Sequence, residues 1–128
     1  MVNLIRRCVL VGSLTSVVFL LSRGDTLAQG ANRNFDLINH TGYDIYFVYV
    51  REYGDRDWGD DVMDSDTILG TNETLHVRFH NGDACRWDVK IEFRNRVNAY
   101  WNDIDLCSID TMTVWYDWSK RNYQAAWE

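Results

Sequence analysis

The sequence predicts an all-β fold, a compact antiparallel sandwich or barrel of seven to eight short strands with one disulfide (Cys85-Cys107), and three observations carry that prediction. Apolar residues alternate with polar ones through most of the chain after residue 30, which is the period of a strand with one face turned inward. No helical periodicity lasts longer than two turns, and no unit repeats at the 20 to 50 residues of a solenoid or propeller. The breaks between runs are made by Gly, Asn and Asp, because the chain contains no proline.

The first segment in order is a leader. "MVNLIRRCVLVGSLTSVVFLLSRGDTLAQG" has the three parts of a secretory signal peptide: Arg6 and Arg7, an uncharged and largely apolar run from Cys8 to Leu21, and a polar stretch ending in small residues. That run of 14 residues is too short for a comfortable transmembrane span. Thr26 and Ala28 stand at minus three and minus one of a cleavage site after residue 28, and cleavage after Gly30 is the close alternative. The expected organisation is a signal peptide over 1–28 and a single β domain over 29–128, exported to the periplasm or secreted.

The strands follow. "FDLIN" and "YDIYFVYVR" flank His40-Thr41-Gly42, where Gly42 takes a left-handed conformation without steric cost. "TLHVRFH" puts Leu75, Val77 and Phe79 on one face, and "CRWDVKIEFR" does the same for Cys85, Trp87, Val89, Ile91 and Phe93. Asn81-Gly82 between these two runs predicts a tight hairpin, since Asn-Gly accepts the positive dihedrals of such a turn. "VNAYW" and "IDLC" are short strands. "DTMTVWYDW" carries Met112, Val114, Tyr116 and Trp118 on one face, with "NYQAAWE" pairing back across Ser119 to Arg121.

Of three cysteines, Cys8 leaves with the leader, and an even pair in an oxidising compartment reads as the disulfide Cys85-Cys107. Closing that loop stabilises the fold by roughly 3.4 kcal/mol on the chain-entropy estimate. Arg6, Arg7, Arg23 and Asp25 also leave, so residues 29–128 keep 10 basic and 18 acidic residues. A balance near minus eight argues against nucleic acid and anionic membrane as partners, since phosphate recognition relies on clustered Lys and Arg. A cationic partner or a divalent metal is electrostatically easier, and a monomer is expected.

The densest charge is "YGDRDWGDDVMDSD", with six aspartates in fourteen residues. An EF-hand loop needs Gly at position 6 and a bidentate Glu at 12. Counted from Asp55, position 5 is Gly59 and position 12 is Asp66, so that motif fails. A calcium site of another kind would use Asp55, Asp57, Asp60 and Asp61; the plainer reading is a hydrated loop whose aspartates cap its own turns. His76 and His80 share a strand face about 13 Å apart, too far to hold one zinc ion, and His40 stands alone in a turn. Asp103 and Asp105 have the spacing of a same-face carboxylate pair, the chemistry of a glycosidase, but no Ser, His or Cys nucleophile arrangement accompanies them. No catalytic residue is assigned.

Aromatics are the remaining signal. With Phe19 in the leader, residues 29–128 hold six Trp, seven Tyr and four Phe, more than one face of a small sandwich hides. Exposed Trp and Tyr suit binding surfaces for protein or sugar. Trp58 stands out because its neighbours are acidic and it lacks a strand context.

Taken in order, "LINHTGYDIYFVYV", "DWGDDVM", "CRWDVKI", "WNDIDLC" and "MTVWYD" resemble the blocks of small exported bacterial β-domain proteins of unknown function, with the pattern N-x-T-G-x-x-I, W-G-x-D, C-x-W-D and D-L-C. The matching positions are Asn39, Thr41, Gly42 and Ile45; Trp58, Gly59 and Asp61; Cys85, Trp87 and Asp88; and Asp105, Leu106 and Cys107. This chain departs in being richer in aspartate around Trp58. Some of those proteins carry an argininosuccinate lyase label, but that enzyme is a large helical oligomer whose site about 100 strand-patterned residues do not supply. The resemblance implies export, a β fold and the Cys85 to Cys107 pair, and no catalytic residue.

The sequence therefore predicts a non-catalytic exported module that binds a protein, such as a basic partner, or a cell-envelope component through Trp58 with Asp57, Asp60 and Asp61, and without a cofactor. The alternatives are a calcium-binding or calcium-stabilised module and a small extracytoplasmic hydrolase.

Overall fold

The alternating runs become seven strands in a computed structural model that describes residues 33–78 and 84–128. These are β1 (Phe35–His40), β2 (Ile45–Glu52), β3 (Thr74–Val77), β4 (Arg86–Phe93), β5 (Asn98–Asp105), β6 (Thr111–Asp117) and β7 (Asn122–Trp127). Two sheets form, one in the order β3-β1-β6-β7 and one in the order β2-β4-β5. Neither closes on itself, so the architecture is a sandwich and not a barrel. The leader, Phe79, His80 and Asn81-Gly82 lie outside the described residues.

Two expectations are corrected. The run beginning at Leu75 does not form a hairpin with the run beginning at Cys85, because β3 pairs with β1 (Leu37 opposite Leu75) while β4 pairs with β2 and β5. Each run has one apolar face, and in a sandwich the chain can bury both by crossing from one sheet to the other. The fold is also not wholly antiparallel, since β1 and β6 run parallel with Leu37 opposite Met112. A parallel pair needs a long crossover, and here the chain between them supplies the other sheet. The β6–β7 hairpin stands where the alternation placed it, with Tyr116 opposite Tyr123.

Phe35, Leu37, Met112 and Val114 of one sheet bury against Val48, Val89, Ile91 and Phe93 of the other. β2 is an edge strand, and the segment after the acidic loop covers it. Ile45 and Leu69 exchange backbone hydrogen bonds of 2.9 and 3.0 Å, and Val62 N–H donates to the Val48 carbonyl at 2.8 Å. Pairing a free edge in this way removes a template for aggregation. Met63 and Leu69 enter the core from the same segment.

The corner between β1 and β2 is held by a fully buried amide. Asn39 Nδ2 donates to the carbonyls of Tyr43 (2.8 Å) and Leu69 (3.0 Å), and its Oδ1 accepts from Thr41 N–H (3.0 Å) and Thr41 Oγ1–H (2.7 Å). Gly42 follows at φ +82°, which explains a glycine there. Cys85 and Cys107 form the disulfide, with Cα atoms 5.1 Å apart, at the ends of paired strands β4 and β5.

Candidate functional site

Trp58 is neither in the core nor free. The loop after β2 turns back, with Gly59 at φ +65°, and lays the indole on the outer face of the β2-β4-β5 sheet. The Arg51 guanidinium lies 4.1 Å from the ring centroid, Lys90 Nζ 5.5 Å, and the Tyr100 ring 6.0 Å. One side chain from each strand thus supports it. Lys90 also sits 4.0 Å over Tyr49, whose ring stacks on Phe47. Alternation gives this outer face its residues, and cation–π attraction gives the indole its seat.

The aspartates around Trp58 do not converge. Asp55, Asp57 and Asp60 are exposed, and Asp55 and Asp57 border a cleft of about 220 Å³ with Trp58 and Trp87. Asp61 turns the other way, its Oδ1 accepting from Val48 N–H (2.8 Å) and Met63 N–H (3.1 Å), so it clips the loop to β2. Among the described residues the one trio of potential ligand groups within 4.8 Å of one another is Cys85, Asp105 and Cys107, whose cysteines are joined to each other. The expected calcium set Asp55, Asp57, Asp60 and Asp61 is therefore not assembled.

Other expected groups have structural partners. Asp88, on what alternation makes the outer face, is buried; it accepts from Arg51 Nε–H at 2.9 Å and from Asp103 N–H at 3.0 Å. That second bond pins a bulge in β5, where Asp103 has φ +60°. Asp103 is hydrogen-bonded by Arg86 at 2.6 Å, which holds its carboxyl below the usual range and makes it a poor general acid. Asp105 accepts from Cys107 N–H in the turn before the disulfide. His76 pairs with Asp36 across β3 and β1, His40 is exposed, and His80 lies outside the described residues.

A different site is built where edge strands β5 and β7 face each other. A cleft of about 450 Å³ is lined by Tyr43, Tyr100, Trp101, Tyr116 and Tyr123, with Asn95, Asn98 and Asn122 for hydrogen bonding and Arg121 for charge. Tyr123 stacks on buried Phe93 at 3.9 Å and meets Tyr116 edge-on at 5.1 Å, and Tyr43 lies edge-on to both at 6.0 and 6.3 Å. Pairs of this geometry each contribute about 0.5–1.5 kcal/mol beyond area, so the lining is held by its own packing. Burial, then the neighbouring Tyr43, push the Tyr123 hydroxyl above its ordinary pKa, leaving it a neutral donor at physiological pH. Trp118, 73% exposed, packs edge-on against Tyr116 at 4.8 Å and so adds an aromatic beside the cleft.

The lining has aromatic faces, amides, hydroxyls and one cation. It has no carboxylate, histidine, serine or cysteine, and its ionisable groups are the tyrosine hydroxyls and Arg121. Such a lining can stack on rings and bond hydroxyls. Sequence reasoning missed it because Tyr43, Trp101 and Tyr116 come from three segments brought together only by the parallel β1–β6 pairing and the meeting of the two sheets. One part was legible, since a hairpin turning at Ser119 to Arg121 sets Tyr116 opposite Tyr123.

The sequence matches no protein-family profile and no curated protein at a significant level. Among solved structures, the chain is similar to the NMR structure of the protein from Eubacterium rectale, with 16% identity and a TM-score of 0.52 over 76% of this chain and 88% of that one. At that identity the likeness concerns the fold alone.

Proposed function

We propose that the chain is an exported, non-catalytic binding module, periplasmic or secreted, whose tyrosine cleft holds a saccharide component of the cell envelope. The observation that carries the reading is the cleft lining, five aromatic residues and three asparagines with no carboxylate among them. Sugar rings present apolar C–H faces and a rim of hydroxyls, which rigid aromatic faces and amide side chains complement. Pockets of this size suit small ligands or one or two units of a polymer. The leader ending at residue 28 or 30, the disulfide, and the resemblance to small exported bacterial β-domain proteins support export.

Amide chemical-shift mapping with soluble oligosaccharides from bacterial envelopes tests this. The expected result is a set of saturable shifts at Asn98, Tyr116, Asn122 and Tyr123, lost in Tyr116→Ala. Shifts absent up to 5 mM sugar, or confined to the Trp58 face, would refute it.

A further inference from the structure

The charge around the cleft is opposite to that of the protein. The whole sequence carries a formal charge of −6, yet the one charged residue in the lining is Arg121. Of the two turns at its rim, the one over 118–121 adds Lys120, while the one over 94–97 places Arg94 and Arg96 on a neighbouring cleft with Glu92. Their carboxylate neighbours are engaged: Asp44 pairs with Arg94 at 3.6 Å, and Asp117 pairs with Lys120 at 3.7 Å while accepting from Ser119. Arg96 and Arg121 make no ion pair with any described residue. Both also occupy left-handed backbone positions, φ +63° and +56°, where Gly or Asn would be less strained. The turn beside the cleft therefore places at its left-handed position an arginine that no described carboxylate pairs with.

We infer that the ligand of the cleft is an acidic saccharide, its carboxylate bound by Arg121 while its rings stack on the tyrosines. This rests on the proposed saccharide-binding function and specifies its ligand. A planar guanidinium donates two parallel hydrogen bonds to a carboxylate. In an acidic protein the local reversal of sign also selects against the wrong orientation of an anionic chain.

Titration calorimetry at 50 mM salt with three probes decides the matter: neutral chitotriose, a trigalacturonate, and a wall-derived disaccharide of N-acetylglucosamine and N-acetylmuramic acid. Expected is a preference of about tenfold for an acidic probe over chitotriose, the scale of one charge-assisted pair, shrinking as salt rises. The acidic arm that binds more tightly identifies the source, uronate polymer or wall glycan. Arg121→Asn removes the charge while suiting the left-handed backbone, so it folds and should abolish the preference; Arg121→Lys should retain part of it. Equal binding of neutral and acidic probes, or a preference that survives Arg121→Asn, overturns the inference but leaves saccharide binding intact. No binding of any probe overturns both.

Discussion

Replacing Asn39 with alanine tests the account of how the two sheets are joined. Four hydrogen bonds vanish with the amide, but the groups left behind do not suffer equally. The Thr41 hydroxyl, released from Asn39 Oδ1, can turn its one proton to the Tyr43 carbonyl 3.0 Å away, and the Leu69 carbonyl keeps Ile45 N–H at 2.9 Å. Thr41 N–H, in a buried residue, is the one group left unpaired. An orphaned buried donor costs about 1–3 kcal/mol, and because the other groups retain partners the upper part of that range, roughly 3 kcal/mol, is expected for Asn39→Ala. For a domain of this size that lowers Tm by roughly 12 to 24 °C. Urea unfolding followed by tryptophan fluorescence at pH 7 measures it, with an unchanged m value showing that only stability moved.

Asn39→Asp sharpens the test. One oxygen still accepts from Thr41, while the other faces the carbonyls of Tyr43 and Leu69, where only a protonated carboxyl can donate. Burial beside two acceptors raises the folded-state pKa of the introduced carboxyl. The variant is then most stable below the unfolded value of about 4 and loses stability as pH rises through the folded-state pKa. Its deficit against the parent should therefore be smaller at pH 4 than at pH 7. If both variants lie within 0.5 kcal/mol of the parent at both pH values, the amide does not hold the corner.

Four further outcomes follow from the same structure. Asp88→Ala should cost about 3 kcal/mol in urea unfolding, because it strands Arg51 and frees the β5 bulge, while Asp88→Asn keeps the bond from Asp103 N–H and should cost less; equal losses would show that the bulge contact is irrelevant. Trp58→Ala should cost about 1–2 kcal/mol, the range of one cation–π contact plus partial burial, and a loss above 4 kcal/mol would mean core packing. Calcium at 5 mM should leave Tm within 1 °C, since the loop carboxylates do not converge, and a shift that Asp57→Asn with Asp60→Asn removes would contradict that geometry. Asp117 should titrate below an ordinary carboxyl, first because Ser119 Oγ–H donates to it, so its turn cap is present above the unfolded pKa and lost as pH falls through the lower folded value; an NMR titration in which Ser119→Ala leaves that pKa unmoved would contradict the assignment.

What the sequence made legible was whatever depends on near neighbours. The period of two located β2, β4 and β6, and the Ser119 to Arg121 turn paired β6 with β7. Asn81-Gly82 misled because a turn dipeptide reports local backbone preference, whereas strand partners are chosen by which apolar faces can meet, and β3 meets β1. Trp58 looked stranded among aspartates because its real surroundings, Arg51, Lys90 and Tyr100, lie on three strands it contacts only after the loop folds back. Buried Asp88 broke the alternation for the same kind of reason, its partners coming from β2 and a bulge that no run of residues announces.

Five short polar side chains share one physical task. Asn39 and Thr41 close the first corner, Asp61 clips the acidic loop to β2, Asp88 holds the β5 bulge, and Asp105 caps the turn into Cys107. Each is a short polar side chain accepting from backbone N–H or side-chain donors that the strands leave unpaired, so losing it exposes a buried polar group. The cleft is made otherwise, from aromatic faces whose packing tolerates changes in shape and from turn residues with solvent on one side. Substitutions at Asn39, Asp61, Asp88 and Asp105 should therefore register as stability, and those at Asn98, Tyr100, Arg121 and Asn122 as affinity. Trp58, half-buried and seated on cations, should register with the first group.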